Sequence, residues 1–231
     1  MREIVFDTET TGLDPKTGDR VVEIGCVELR DHFPTGNTYH QYINPERDMP
    51  DDAFRIHGLS TAFLSDKPVF ADIAAAFLEF IDDAILIAHN ANFDINFLNH
   101  ELGNLDLPVL GQDRVVDTLA LARRKHPGGS NSLDALCRRY GIDNSSRTLH
   151  GALLDSEILA EVYLEMIGGH QAALNLAASP LAASRSDGEI GTSQSARRAQ
   201  GPVHALSTDE EAAHRAFVDT LGENAIWRDY L

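Results

Sequence analysis

The chain opens with a short apolar run, Ile4-Val5-Phe6, set among polar residues. Consecutive β-prone apolar residues read as a buried strand. The run ends in two carboxylates, Asp7 and Glu9, one residue apart. Side chains alternate along a strand, so the two acids share a face. Gly12 then permits a sharp turn. Apolar positions return at Val21, Val22, Ile24, Cys26, Val27 and Leu29, which predicts a second strand over 20–29. Thr38 to Ile43 predicts a third, stopped by the turn signal Asn44-Pro45. Strands this close in sequence pair as an antiparallel meander. Over 48–66 the pattern is lost, and the stretch reads as an irregular loop.

The period then changes. Ile73, Ala76, Phe77 and Phe80 fall at helical spacing within 71–81. Ala84 to Ala88 is a short apolar strand leading into His89-Asn90-Ala91-Asn92-Phe93-Asp94, which opens a helix to about residue 102. Val115 and Val116 predict a strand ending at Asp117, and helices are predicted over 118–125, 132–140 and 151–167. Strands alternating with helices imply parallel crossovers. The expectation is an α/β domain over 1–176, a mixed five-stranded sheet flanked by helices. Small and polar residues dominate 177–206, which reads as a flexible linker. Patterning resumes in a tail, 207–231. There Thr208-Asp209-Glu210-Glu211 fits a capping box, and Ala213, Ala216, Phe217 and Leu221 form an apolar stripe.

Charge narrows the function. Lys and Arg number 19 and Asp and Glu 36, a net charge of −17. A broad basic surface for nucleic acid is excluded, but not a grip on a strand end through cations. The basic residues Arg123, Arg124, Lys125, His126, Arg138, Arg139 and Arg147 cluster. Most read as a solvated helix face, with Arg147 a candidate for phosphate contact. Cys26 and Cys137 sit in apolar segments and read as buried thiols of a reducing compartment. No run reaches membrane-spanning length, and a strand starting at residue 2 leaves no room for a signal peptide. A cytoplasmic protein is expected.

Within 151–167 the apolar stripe is Leu159, Val162, Tyr163 and Met166, with Ile158 beside it, and Asp155 falls on that stripe. A buried carboxylate needs a partner, and the helix offers no cation on that face. His150 stands at the helix start, where its ring points into a cleft or bonds the backbone. Asp94 lies in the first turn after a buried strand, where capping and ligand binding both suit it. Asp7, Glu9, Asp94 and Asp155 converge on one site only if cations neutralise them. All-oxygen ligands suit Mg²⁺ or Mn²⁺. Two such ions on one phosphate are a recurrent device for phosphodiester hydrolysis.

Three segments resemble the motifs of the DEDDh exonucleases: Asp7-Thr8-Glu9-Thr10-Thr11-Gly12, His89 to Asp94, and His150-Gly151-Ala152-Leu153-Leu154-Asp155. Arg147 to Asp155 and Asn131 to Cys137 are similar to the epsilon branch, the proofreading subunits of bacterial DNA polymerase III. The resemblance covers 1–170 strongly and the tail more weakly. It implies a ribonuclease H-like fold, two divalent ions, and 3′-to-5′ hydrolysis of DNA to nucleoside 5′-monophosphates. It makes Asp7, Glu9 and Asp155 ligands of the ion that activates water. Asp7 and Asp94 would serve a second ion at the leaving oxygen, with His150 as general base. Thr10, Thr11, His57 and Leu59, beside Asp7, Glu9 and Asp155, would contact the terminal nucleotide. His89 and Asp117 would be structural support. Gln171, Leu174 and Leu176 are similar to a sliding-clamp peptide, Gln-x-x-Leu-x-Leu/Phe. The tail resembles a segment that anchors on the polymerase III alpha subunit, with Phe217 and Trp227 as anchors. Two alternatives stand beside this reading: an RNA-directed exonuclease of the same superfamily, and a non-catalytic scaffold of the replisome.

Overall fold

A computed structural model describes residues 1–168 and 208–220. Strand β1 (Arg2–Thr10) is apolar on both faces, with Ile4 and Phe6 packed to one side and Val5 to the other. A strand with two faces to bury belongs in the middle of a covered sheet. Beside β1 lie β2 (Val21–Arg30), β3 (Phe33–Tyr42), β4 (Ile85–Ala88) and β5 (Val115–Asp117). The order is β3-β2-β1-β4-β5. The β1–β2 and β2–β3 pairs are antiparallel, and β1–β4 and β4–β5 are parallel. This is the mixed five-stranded sheet that a meander followed by β-α units predicts.

Between β3 and β4 lie α1 (Asp51–His57), α2 (Thr61–Leu64) and α3 (Phe70–Ile81). Helix α4 (Asn92–Asn104) follows β4, and α5 (Thr118–Lys125), α6 (Leu133–Tyr140) and α7 (Ala152–Ile167) follow β5. On one sheet face, Ile4, Phe6, Ile24 and Leu86 pack with Phe77, Ile95 and Leu98 of α3 and α4. On the other, Val5, Val27 and Ile87 meet Leu159 and Tyr163 of α7. The far side of α7 buries Ile158, Val162 and Met166 against Ala122, Leu136 and Cys137. Cys26 and Cys137 are both buried and free. Among the described residues no helix is long and apolar enough to cross a membrane.

Two expectations need correction. Residues 48–66 are not irregular, because α1 and α2 lie within them. Helices of seven and four residues are too short to print a period on the sequence. Strand β3 begins at Phe33, not Thr38. Pro34 and Gly36 mimic a turn signal, but an edge strand tolerates proline. The register shifts between the Val27–Thr38 and Leu29–Pro34 pairs.

The chain divides into a unit ending at Ala178 and one beginning at Ser179. In the second, α8 (Thr208–Thr220) starts at the capping sequence. Phe217 is exposed and Val218 buried. Gln171, Leu174, Leu176, Leu221, Trp227 and the linker reading of 177–206 lie outside the described residues.

Candidate active site

Strand alternation sends Val5, Asp7 and Glu9 toward the α7 face, while Ile4, Phe6 and Thr8 face α3 and α4. The C-terminal end of β1 is thus approached by a helix start on each side. From one side α4 brings Asp94 in its first turn. The Thr8 hydroxyl and backbone N–H both donate to Asp94 Oδ1, at 2.7 and 3.2 Å. From the other side α7 brings Asp155. Glu9, His150 and Asp155 each offer a donor atom, and these atoms lie within 4.8 Å of one another.

A glycine permits the α7 approach. Gly25 of β2 pairs with Asp7. A Cβ there would sit 2.2 Å from the Leu153 nitrogen and 2.3 Å from the Ala152 carbonyl carbon. Ser156 clamps the contact, its Oγ lying 2.9 Å from the Gly25 oxygen and 2.7 Å from that of Ala152. Neither residue stands out in the sequence as functional. The one available signal was a glycine inside an apolar strand, which marks a close backbone approach.

The electrostatics follow from this crowding. Burial pushes the Asp7 pKa well above the ordinary carboxylate value, and repulsion from Asp94, Glu9 and Asp155 adds to it. Burial, then Glu23, Asp155 and Asp94, push Glu9 up to about 8. Glu23 is the cross-strand partner of Glu9 and accepts a 2.7 Å contact from His40 Nε2. Asp94 is pushed up to about 7 by burial, although the Thr8 bonds oppose it. Asp155 goes the other way. Burial raises its pKa, but bonds from His150 and Arg147 win and hold it below the ordinary value.

Arg147 supplies the cation that α7 itself lacks. Its Nε lies 2.5 Å from Asp155 Oδ1 and its Nη2 2.7 Å from Oδ2. Nη1 bonds Asp134 Oδ1 at 2.8 Å, and Nη2 lies 2.9 Å from His150 Nδ1. His150 is half exposed, 3.3 Å from Asp155 Oδ2, and its backbone N–H is held by the Ile56 carbonyl of α1.

A cleft of about 430 Å³ opens beside Glu9, walled by Thr10, Thr11, Leu13, Ile56, His57 and Phe93. The Thr10 hydroxyl donates to the Gly12 carbonyl at 2.6 Å, and the Thr11 hydroxyl lies 3.3 Å from Asp19. Both hydroxyls therefore shape the turn. His57 is buried, and its Nδ1 accepts the Leu59 N–H at 3.0 Å. That bond places the proton on Nε2, a buried atom without a hydrogen-bond partner among the described residues. Leu59 is not among the residues walling the cleft. His89 and Asp117 stand behind the site. His89 Nδ1 meets the Thr118 hydroxyl at 3.0 Å, and Asp117 accepts the N–H groups of Asn90 and Leu119.

The sequence model of a family described as Exonuclease matches residues 4–163. A protein of Rickettsia prowazekii named DNA polymerase III subunit epsilon is 47% identical, over 96% of this chain and 97% of its own length. Its namesake from Escherichia coli is 45% identical over 98% and 97%. Among solved structures, Exonuclease X in complex with 5′ overhanging duplex DNA superposes with a TM-score of 0.56 at 29% identity. That match covers 73% of this chain and 91% of the other. The nuclease domain of 3′hExo, a DEDDh family member bound to rAMP, superposes at 0.64 with 18% identity over 73% and 92%, a likeness of fold. With the matched fold and the acid cluster together, this chain belongs to the exonuclease family and, within it, to the DNA polymerase III epsilon subunits.

Proposed function

We propose that this 3′-to-5′ exonuclease removes the terminal nucleotide of a DNA strand as the proofreading activity of a replicative polymerase. The observation that carries the chemistry is the set Asp7, Glu9, Asp94 and Asp155 around one strand end. Burial first, and for Asp7 and Glu9 repulsion within the set, raise the pKa of three of the four, so ionising all of them calls for positive charge beyond that of Arg147. An all-carboxylate donor set fits hard, oxygen-liganded ions such as Mg²⁺ or Mn²⁺. Asp7, Glu9 and Asp155 would hold one ion, and Asp7 with Asp94 a second. Bound ions supply the charge that polarises the scissile phosphate and stabilises the leaving 3′ oxygen.

The chain's own groups do the rest. His150 takes the proton of the attacking water, since it is half exposed beside Glu9 and Asp155 and oriented by Asp155. Leu13 and Ile56 offer exposed apolar surface for a base face. His57 Nε2 offers a donor to a substrate oxygen, Thr10 and Thr11 set the shape around it, and Leu59 contributes the N–H that holds the His57 ring. Hydrolysis releases nucleoside 5′-monophosphates. The family name of the relatives supports a DNA substrate, and the RNA-directed alternative is separated by digesting matched strands.

The same reading assigns the domain to 1–176, a linker to 177–206, and a polymerase-binding tail to 207–231. The tail docks on the alpha subunit through Phe217 and Trp227, and exposure of Phe217 supports this. Gln171, Leu174 and Leu176 contact the sliding clamp, and the protein works in the cytoplasm. The deciding experiment is digestion of a strand labelled at its 3′ end, with Mg²⁺, Mn²⁺ or chelator. Metal-dependent release of the label as a mononucleotide supports the reading. Metal-independent or internal cleavage overturns it.

A further inference from the structure

Arg147 stands where a cation is needed. Its guanidinium engages both oxygens of Asp155 as a fork, the strongest carboxylate geometry available to a side chain. The same Nη2 also lies 2.9 Å from His150 Nδ1, the ring nitrogen that faces Asp155. One side chain thus holds the proposed metal ligand and the proposed base together. Arg147 is itself nearly buried. A divalent ion held by Asp7, Glu9 and Asp155 would face that charge across a few ångströms, because the guanidinium already lies on both Asp155 oxygens.

The surroundings offer the guanidinium another place. Asp134, at the start of α6, already accepts Nη1 and is half exposed. A separate cleft of about 360 Å³ opens on that side, lined by Arg55, Ile56, Asp134, Thr148 and Leu149 together with Arg147 and His150. We propose that Arg147 is an internal counter-ion that exchanges with the divalent ion. It neutralises Asp155 in the metal-free protein and moves toward Asp134 when the site loads. The exchange keeps Asp155 paired and ordered without metal, at the cost of weaker metal affinity. It makes Arg147 a positioning residue for Asp155 and His150, and Asp134 its second station.

The inference rests on the metal reading above, and its test separates the two. Mn²⁺ alone is titrated into the chelator-stripped full chain, without DNA, by calorimetry. R147Q should bind Mn²⁺ at least about fivefold tighter than wild type, the lower end of ordinary coupling between mutually exclusive ligands. R147K keeps the charge but loses the fork, so its affinity should fall between, and it carries the test if R147Q does not fold. D134N removes the second station and should weaken Mn²⁺ binding. That weakening should vanish in the R147Q background, because distant field effects add while an exchange does not. R55Q, which removes a cation of the same cleft that does not touch the acids, should change little. No Mn²⁺ binding by wild type overturns the metal reading and the exchange with it. Wild-type binding with unchanged or weaker affinity in R147Q and R147K overturns the exchange alone. So does a D134N effect that persists without Arg147.

Discussion

Asp94 and Asp155 enter the same site from opposite faces of the sheet, each 3% exposed, and their pKa values move in opposite directions. Burial raises both. The difference lies in what each one meets. Asp94 receives a neutral hydroxyl and an amide from Thr8, which do not overcome burial. Asp155 receives a guanidinium and an imidazole, which do. One half of the cluster is thus charge-compensated by the protein, and the other waits for an external cation. Carboxylates of equal solvent exposure thus become unequal, and the charged partners of Asp155 set the sign of its shift.

The largest expected effects test whether both halves serve one reaction. Asp155→Ala and Asp7→Ala should each reduce 3′-end digestion to background while circular dichroism keeps the wild-type fold. Substantial turnover in either variant would break the assignment of the cluster. His150→Ala should lose on the order of 10²–10⁴ in rate and lose the rising limb of the pH–rate profile. An unchanged profile would leave His150 a helix-end residue.

Stability in chelator sharpens the contrast further. Asp155→Asn leaves Arg147 with Asp134 as its one carboxylate partner, so the melting temperature in chelator should fall, by less than the about 3–5 kcal/mol of a buried charge left unpaired. Glu9→Gln should do the opposite at alkaline pH. The folded pKa of Glu9, about 8, exceeds its ordinary 4.5, so the folded protein binds more protons between those values. Its contribution is therefore complete below about pH 4.5 and is lost as pH rises through 8. Asp94 acts alike between 3.8 and about 7. Melting temperature in chelator should fall from pH 5 to pH 8, and Mg²⁺ or Mn²⁺ should restore it by binding the ionised form. Glu9→Gln should flatten that slope, and a slope of the same size in the variant would contradict the electrostatic account. The smallest effect belongs to Thr8→Val, which removes one bond to Asp94. About 1 kcal/mol should be lost at pH 8, where Asp94 is ionised, and less at pH 5. Equal losses at the two pH values would deny Asp94 its titration.

Much of this arrangement is legible in the residue pattern. An apolar run closed by Asp7 and Glu9, an acid on the apolar stripe of α7, and an acid at the first turn of α4 are local signals, because strand and helix periods assign faces without tertiary knowledge. The same periodicity predicts β1, β2 and β4 and the helices from α3 to α7. It fails at α1 and α2, which are too short to show a period, and at the start of β3, where proline and glycine signal a turn that an edge strand does not make.

What the chain determines by itself, then, is which residues carry charge and on which face of which element they fall. Those properties depend on neighbours within a few positions. Partnership does not. Arg147 lies eight positions from Asp155, and Thr8 lies 86 from Asp94. Gly25 is 131 positions from Ser156. Only the folded chain brings these pairs into contact, and the sheet order places β1 between β2 and β4 so that two helix starts meet at one strand end. Burial and Coulomb interactions act through space rather than along the chain. The tertiary structure therefore decided which carboxylate holds a guanidinium and which are left for a cation.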